Sequence, residues 1–249
     1  PYYDYKNHGI DFDAMIDTFN KLGVGDLVLL HGCCHNPCGA DLSRDQWDRL
    51  ADLFESRGIV PFLDFAYQGL ADGLEEDAYG VRLMAERLDE VIVVTSCSKN
   101  FGLYRERVGM TSVISKDVKQ AKVAQSNLGN VARGIYSMPP DHGAAIVSRV
   151  LNDNELSAIW IEELAQMRER LNDLRHLIVD KLNERGAPRD FSFIASERGM
   201  FSFLGISQEQ AIRLREEFHV YTLESGRINV AGINQSNVDY VADAIVAIL

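Results

Sequence analysis

The sequence predicts an α/β protein in which a three-layer, mostly parallel sheet is followed by a smaller α+β domain. Short apolar runs alternate with stretches of about a dozen residues that have helical periodicity. Each apolar run is continuous, which is typical of parallel strands covered by helices on both faces. The chain has 249 residues, 46% of them hydrophobic, so it can bury a large core.

The first part of the chain supplies the elements of the sheet. A helical pattern at 12–22 precedes an apolar run at 27–30. Ser43 is placed to cap a helix over 44–56, and Gly58 lies just beyond its end. The further predicted elements are a strand at 59–64, a helix at 77–88, strands at 91–95 and 109–114, and a helix from 116 to about 129.

The second part indicates a small domain joined through a long helix. Pro139 and Pro140 precede a new helix, and an amphipathic stretch over 154–184 predicts a single long connector. We therefore place the remainder of a large domain at 1–160 and a small domain at 161–249. The predicted elements of the small domain are short strands at 191–194, 200–205 and 227–232, a helix at 208–217 and a terminal helix at 238–249.

Charge and composition exclude several classes of function. Lys and Arg number 25 against 37 Asp and Glu, a formal charge of −12, so a nucleic-acid partner is not expected. No apolar run approaches the roughly 18 to 20 residues of a membrane span, and the first residues do not resemble a signal peptide. We expect a cytoplasmic protein.

The cysteines give no metal or disulfide pattern. Their spacing matches neither a CxxC pair nor a set of zinc ligands, so we expect reduced thiols and no metal. The four are Cys33, Cys34, Cys38 and Cys97.

Polar residues follow three of the predicted strands. They fall within 31–39, 64–67 and 96–99. Because ligands of such sheets bind at the carboxyl ends of the strands, these segments can converge on one crevice. Lys99 follows the run 91–94 directly, and nearby Arg107 would lower its pKa and make it a better nucleophile toward carbonyl groups.

Taken one by one, the candidate residues leave alternatives open. Lys99 is either a surface lysine or an amine that forms a Schiff base, and Asp64 is either a cap or a counter-ion for a cationic ring nitrogen. Asn36 in "HNPCG" fits an ordinary turn. Ser96 and Arg107 together can hold a phosphate. His31, at a strand end, also fits a hydrogen-bonded core histidine.

Five motifs in this order resemble the class I aspartate and aromatic-amino-acid aminotransferases, pyridoxal-phosphate enzymes of fold type I. The resemblance covers the chain from its first residues to its last, and "SKNFGLYRERVG" is its most specific part. The other four motifs are "HGCCHNPCG", "LDFAYQGLADGLEEDA", "YSMPPDHGA" and "SGRINVAG".

The resemblance implies a cofactor site. Lys99 would form the Schiff base with pyridoxal phosphate and move the proton during transamination. Asp64 would pair with the pyridine nitrogen, and Asn36 and Tyr67 would bind the phenolic oxygen of the ring. Ser96 and Arg107 would hold the phosphate, and His31 would lie behind Asp64.

The resemblance also implies a substrate site. Arg227 would bind the α-carboxylate together with Asn36, and Phe201 would line the pocket. Arg133 would reach across a homodimer interface to the side-chain carboxylate of aspartate or glutamate. The implied reaction moves the amino group of aspartate or an aromatic amino acid to a 2-oxo acid such as 2-oxoglutarate.

Two features depart from the family pattern. Cys38 stands where the family usually has threonine. The family also has a long segment before the equivalent of Pro1, which carries a ring-stacking aromatic residue and a phosphate loop. The alternative hypothesis is therefore a catalytically incompetent fragment that keeps the fold and associates with itself.

Overall fold

The computed structural model describes residues 1–249. The strands are β1 (Tyr3–Asp4), β2 (Gly9–Ile10), β3 (Leu27–His31), β4 (Val60–Phe65), β5 (Val91–Ser96), β6 (Gly109–Ile114), β7 (Phe201–Phe203) and β8 (Arg227–Asn229). The helices are α1 (Phe12–Phe19), α2 (Arg44–Arg57), α3 (Tyr79–Arg87), α4 (Val118–Tyr136), α5 (His142–Leu151), α6 (Asn154–Glu184), α7 (Ser192–Ser196), α8 (Gln208–Phe218) and α9 (Val238–Ile248). None of these helices combines the length and the hydropathy that a membrane span needs.

The central sheet has the order β3-β4-β5-β6. Strands β3, β4 and β5 are parallel, and β6 runs antiparallel to β5. The carboxyl ends of the parallel strands meet at one edge, where His31 pairs in register with Asp64. These observations confirm the predicted α/β fold with a mostly parallel sheet.

The two faces of the sheet differ in burial. Side chains alternate along β3, so Val28 and Leu30 are 6% and 3% exposed while Leu27 and Leu29 are 54% and 60% exposed. The buried face packs on a core to which α2 contributes Trp47 and other apolar side chains. For β3, the expected helical cover is therefore present on one face.

Local caps explain where α2 begins and ends. Ser43 and Gln46 form a reciprocal capping box at its start. Gly58 ends it in the left-handed region at φ 67°, a conformation that glycine adopts without steric cost. The cap predicted at Ser43 is confirmed.

A second core lies around the C-terminal elements, and α6 contributes to both cores. Leu164 and Leu171 belong to the first core, whereas Leu174 and Ile178 belong to the second. The long helix has the predicted extent, Asn154–Glu184. The division into domains at 160 stays a prediction.

Some predicted elements differ in the structure. The strand expected at 227–232 ends as β8 at Asn229, and Val230–Gly232 form a short 3-10 helix. The strand expected at 191–194 is instead the short helix α7, whose N-cap residue is Phe191. The preceding Asp190 accepts the Ser192 backbone N–H at 2.8 Å and its hydroxyl at 2.7 Å, a local turn that competes with extended backbone. Helix α4 continues beyond the predicted end at Gly129 and stops at Tyr136, before Ser137 with φ 65°.

Candidate active site

A partly buried carboxylate holds the loop that follows β3. Asp41 accepts the backbone N–H groups of Cys34 at 2.6 Å and of His35 at 2.8 Å. Burial raises the pKa of Asp41 to about 6, although the two hydrogen bonds act in the opposite direction. The loop contains a cis peptide bond between Asn36 and Pro37. Asn36 thus lies in a loop whose backbone is held by Asp41 at Cys34 and His35.

Four of the predicted site residues meet in the structure, and we call them the arginine–asparagine cluster: Asn36, Tyr67, Phe201 and Arg227. Arg227 donates from Nη1 to Asn36 Oδ1 at 3.0 Å, and its guanidinium lies 4.6 Å from the centre of the Phe201 ring. Asn36 donates from Nδ2 to the Tyr67 hydroxyl at 3.5 Å. The remaining guanidinium donors have no acceptor in the protein, so a carboxylate can bind there through two parallel hydrogen bonds.

Tyr67 contacts both Asn36 and Lys99. Burial raises its pKa, and the hydrogen bond from Asn36 lowers it by less. The hydroxyl therefore keeps its proton at neutral pH and acts as a hydrogen-bond donor to whatever lies beside Asn36. The Nζ of Lys99 lies 4.7 Å from the centre of the Tyr67 ring.

The second region is the lysine loop, which we define as residues 96–107. Ser96 Oγ accepts the Ser98 backbone N–H at 3.1 Å and donates to the Ser98 hydroxyl at 3.0 Å. Lys99 forms no hydrogen bond or salt bridge, and its ammonium contacts only the aromatic face of Tyr67. An amine without an anionic partner is available as a nucleophile once it loses its proton.

Asn100 and Trp160 anchor the lysine loop. Asn100 is 8% exposed and donates from Nδ2 to the Gln68 carbonyl at 3.3 Å. The Trp160 indole donates to the Asn100 carbonyl at 2.8 Å, and its ring stacks on Phe101 at 4.4 Å. The backbone on the C-terminal side of Lys99 is therefore held by two other segments, while the lysine side chain is not.

Arg107 and Ser96 lie at the same end of the β5–β6 pair without touching. Ser96 pairs in register with Gly109, and Arg107 precedes that position in the chain. Arg107 has φ 53°, and its exposed guanidinium donates to the Tyr104 carbonyl at 3.0 Å. Both side chains can face one anion, but this chain alone does not bring them into contact.

His31 ends β3 and pairs in register with Asp64, the last residue but one of β4. His31 Nδ1 accepts the Asn36 backbone N–H at 3.3 Å, which requires a neutral ring at that nitrogen. Burial lowers the pKa of His31, and the Asp64 carboxylate partly opposes this shift. Asp64 forms no salt bridge within the chain. It is thus a carboxylate at the sheet edge that can pair with a cationic ligand group.

Arg133 lies away from the other candidates. It is exposed in the last turn of α4, a helix with no buried residue, and its side chain contacts no other residue of the site. Any role in the site would therefore need a second chain.

The cysteines form no disulfide, and the side chains form no metal site. All four cysteines are free. Burial raises the pKa of Cys38 to about 12, so this thiol stays protonated beside His35 Nδ1 at 3.1 Å. No group of three or more His, Cys, Asp and Glu side chains is placed to hold a metal ion.

The donor set fits a cofactor that carries an aldehyde, a basic ring nitrogen and a phosphate. Lys99 offers an amine without an anionic partner, and Asp64 offers a carboxylate without a salt bridge. Asn36 and Tyr67 offer hydrogen bonds to a ring oxygen, whereas Ser96 and Arg107 offer a hydroxyl and a cation for phosphate. No other lysine of the chain follows a strand at this edge.

A buried polar pair that was not predicted from the sequence lies behind the cluster. Arg175 is 0% exposed and Glu197 is 3% exposed, with Arg175 Nη1 at 3.6 Å from Glu197 Oε2. Burial raises the pKa of Glu197 to about 7, which hydrogen bonds and Arg175 oppose. A signal was present in the sequence, because Arg175 occupies the apolar stripe of α6 between Leu171 and Ile178.

The fold and the site together describe an α/β protein in which a lysine, a carboxylate and an arginine without ion-pair partners lie near one end of a mostly parallel sheet. A family comparison agrees with this class. The model of the family described as aminotransferase class I and II matches residues 1–245. The chain belongs to this family.

Similar proteins include enzymes of two named specificities. The chain is 51% identical to an aspartate aminotransferase of Escherichia coli over 248 residues, which are 100% of the chain and 63% of that protein. It is 46% identical to an aromatic-amino-acid aminotransferase of Pseudomonas aeruginosa, covering 98% of the chain and 61% of that protein. The chain thus spans less than two thirds of the length of these relatives.

A solved structure resembles the whole chain. It is an aromatic-amino-acid aminotransferase from Burkholderia pseudomallei covalently bound to pyridoxal phosphate. It matches with a TM-score of 0.97 and 48% identity over 100% of this chain and 62% of that one. Its likeness extends over both cores described above.

Proposed function

We propose that this chain carries the catalytic lysine and the carboxylate-binding arginine of a pyridoxal-phosphate-dependent transaminase. The observation that carries the proposal is the ammonium of Lys99, which faces Tyr67 at 4.7 Å and has no anionic partner. The relative from Burkholderia pseudomallei, covalently bound to pyridoxal phosphate, supports it. The reaction is transfer of an amino group from aspartate or an aromatic amino acid to a 2-oxo acid such as 2-oxoglutarate.

Lys99, Asp64 and Tyr67 have the chemical roles in this proposal. When bound, pyridoxal phosphate supplies an aldehyde carbon and a ring that accepts an electron pair. Lys99 would hold the cofactor through its aldehyde carbon and, once the substrate amine has displaced its Nζ, would move the proton from the substrate α-carbon. Asp64 would keep the ring nitrogen protonated, with His31, opposite it in the sheet, behind that carboxylate. Tyr67 would donate a hydrogen bond from its hydroxyl to the ring oxygen beside Asn36.

Binding of the phosphate and of the substrate falls to other side chains. Ser96 and Arg107 bind the phosphate by a hydroxyl and a guanidinium. Arg227 binds the substrate α-carboxylate, with Asn36 holding its guanidinium at 3.0 Å and Phe201 covering it at 4.6 Å. Because the guanidinium is held before substrate arrives, less side-chain entropy is lost on binding.

Arg133 has its role in a homodimer. It is exposed at the end of α4, whose apolar side chains include Val131 at 58% and Ile135 at 72% exposure. A second copy packed on this helix would bury those side chains and carry Arg133 to the partner's site, where it would bind a substrate side-chain carboxylate. A cytoplasmic location is part of the same proposal.

A second proposal rests on the open face of the sheet. Leu27 and Leu29 are 54% and 60% exposed, and the chain covers 63% of the Escherichia coli relative. An apolar face of this kind favours self-association. In this alternative the 249-residue chain keeps its fold and associates but does not hold the cofactor.

Reductive trapping of the cofactor distinguishes the two proposals. The chain is incubated with pyridoxal phosphate, reduced with borohydride and digested, and the peptides are weighed by mass spectrometry. We expect a visible absorbance band before reduction and one modified peptide containing Lys99, both absent in Lys99→Ala. Lys181→Ala is the control, since Lys181 pairs with Glu184 at 3.0 Å. A folded chain with no band supports the second proposal.

Substitution of Arg133 tests the substrate assignment. Steady-state rates are measured with aspartate and with phenylalanine, each with 2-oxoglutarate as acceptor. We expect Arg133→Ala to lower kcat/KM for aspartate about a hundredfold, since a charged pair is lost, and to change that for phenylalanine by less than about threefold. Arg149→Ala, on the neighbouring helix, is the matched exposed control. Equal losses for both substrates would refute the assignment.

A further inference from the structure

Arg175 is a completely buried arginine that the proposed chemistry does not use. It lies on α6 and is 0% exposed. Its guanidinium donates to four backbone carbonyls and one hydroxyl. The acceptors are Ile194 O at 3.0 Å, Arg198 O at 3.0 Å, Gly199 O at 2.8 Å from Nη2 and 3.2 Å from Nε, Phe201 O at 2.7 Å and Ser202 Oγ at 2.6 Å.

Glu197 completes this buried group. Its carboxylate lies 3.6 Å from Arg175 Nη1 and accepts hydrogen bonds from the Ser202 hydroxyl and, at 3.3 Å, from the Tyr3 hydroxyl. Every polar atom of the pair therefore has a partner. A buried ion pair of this kind is weak evidence for stability, because well-packed apolar residues often serve equally well. The geometry imposed by the guanidinium fork is its distinctive property.

The hydrogen bonds from Arg175 to Phe201 and Ser202 connect it to the strand that packs beside Arg227. Arg175 Nη2 fixes the carbonyl of Phe201 at 2.7 Å, and Nη1 fixes the hydroxyl of the next residue, Ser202. In the β7–β8 pair, Ser202 is opposite Ile228 and Phe203 is opposite Arg227. The Phe201 ring in turn covers the Arg227 guanidinium at 4.6 Å. Arg175 thus sets the position of the strand that carries Phe201.

Close packing joins the same buried pair to the loop that displays Asn36. Gly39 in that loop has φ +76°, and a Cβ there would lie 2.4 Å from Phe201 O, 3.1 Å from Glu197 Cβ and 3.2 Å from Arg175 Nη2. The Arg198 backbone N–H also donates to Gly39 O at 2.8 Å. The Asn36 loop and the Phe201 strand therefore both rest on the same buried pair.

We propose that Arg175, held by Glu197, is a positioning residue that sets the spacing between Asn36 and Arg227, and so tunes the affinity for substrate carboxylate. This inference rests on the proposed function, in which Arg227 binds that carboxylate. Lysine cannot replace Arg175, because a single ammonium cannot reach the same set of acceptors. Glutamine can replace Glu197, since its amide oxygen still accepts a hydrogen bond from Ser202.

The test compares two arginines that both hold backbone carbonyls. Arg189 donates to Gly205 O at 2.6 Å and to Leu204 O at 3.0 Å but touches neither Phe201 nor the Asn36 loop. Wild type, Arg175→Lys, Glu197→Gln, Arg189→Lys and Arg227→Ala are prepared as the 249-residue chain. The probe is 3-indolepropionic acid, an aromatic carboxylic acid, and its binding is followed by NMR titration. The Arg227 Nε–H signal is recorded without ligand, and thermal unfolding reports whether each variant is folded.

We expect Arg227→Ala and Arg175→Lys to weaken binding about tenfold or more, and Arg175→Lys to shift the Arg227 Nε–H signal. Glu197→Gln and Arg189→Lys should bind within about twofold of wild type, even where Arg189→Lys lowers the unfolding temperature as much as Arg175→Lys does. Loss of binding in step with unfolding temperature across all variants would indicate a purely structural role and overturn the inference.

The remaining outcomes separate the inference from the proposed function. If Arg227→Ala weakens binding but Arg175→Lys neither weakens it nor moves the Arg227 signal, the inference is wrong and the proposed function stands. If Arg227→Ala binds as wild type does, the carboxylate role of Arg227 fails, and with it the affinity claim for Arg175. An Arg227 signal that moves in Arg175→Lys would then support positioning alone.

Discussion

The arginine–asparagine cluster and the lysine loop lie beside each other and are held in opposite ways. In the cluster each functional side chain contacts another, from Tyr67 through Asn36 to Arg227 and Phe201. In the lysine loop the backbone is anchored through Asn100, whereas Lys99 has no hydrogen-bonding partner. The cluster is arranged before a ligand binds, and the loop keeps its reactive group available.

This difference matches the roles that we propose for the two regions. A group that binds a carboxylate gains affinity when its orientation is set in advance, because less entropy is lost on binding. An amine that must attack a carbonyl carbon would first have to break any existing ion pair. We therefore expect residues that support the cluster to matter for stability and Lys99 to matter for chemistry.

The largest expected effect is at Asp41, which supports the cluster from behind Asn36. Asp41→Ala leaves the buried N–H groups of Cys34 and His35 without their acceptor, and we expect a loss of about 2–4 kcal/mol in the free energy of unfolding. Urea denaturation at pH 7 measures it.

Asp26 is the matched control for that measurement. Its exposed carboxylate also accepts a backbone N–H, that of Gly23 at 2.8 Å. Because water can replace this acceptor, Asp26→Ala should cost less than about 1 kcal/mol. Similar losses for the two aspartates would show that burial of the Asn36 loop contributes little, and would remove the contrast with the lysine loop.

The smallest expected effect is at Lys99. Removal of its side chain loses one contact with the Tyr67 ring, so Lys99→Ala should change the free energy of unfolding by no more than about 1 kcal/mol. Its neighbour Asn100 is 8% exposed and donates to Gln68, and Asn100→Ala should cost about 1–3 kcal/mol. Thermal and urea unfolding of both variants check this pair, and a Lys99→Ala loss as large as that of Asn100→Ala would contradict the view that the lysine is unengaged.

Elements with local signals were predicted well. The capping box at Ser43, the end of α2 at Gly58 and the full length of α6 all follow from residues within a few positions of one another. The segment 191–194 was predicted incorrectly because its aromatic residues favour a strand, whereas the Asp190 side chain bonds to Ser192 in a local turn.

The candidate site also has a part that the sequence predicts and a part that it does not. The segments that contain Asn36, Asp64 and Lys99 were predicted from the strand ends, since a parallel sheet brings those ends to one edge, and the roles of these residues stay predictions. The contact of Arg227 with Asn36 joins residues that are far apart in the chain, and no local pattern predicts its distance of 3.0 Å.

The sequence by itself determined most of the order of strands and helices, the family resemblance and the residue types available for chemistry. These depend on short-range periodicity, on caps and on motifs that are continuous in the chain. The tertiary structure decided which face of β3 is open, the burial of the Arg175–Glu197 pair and its contact with Gly39. Each of these depends on how segments distant in sequence pack together, because burial and side-chain partners are properties of the assembled chain.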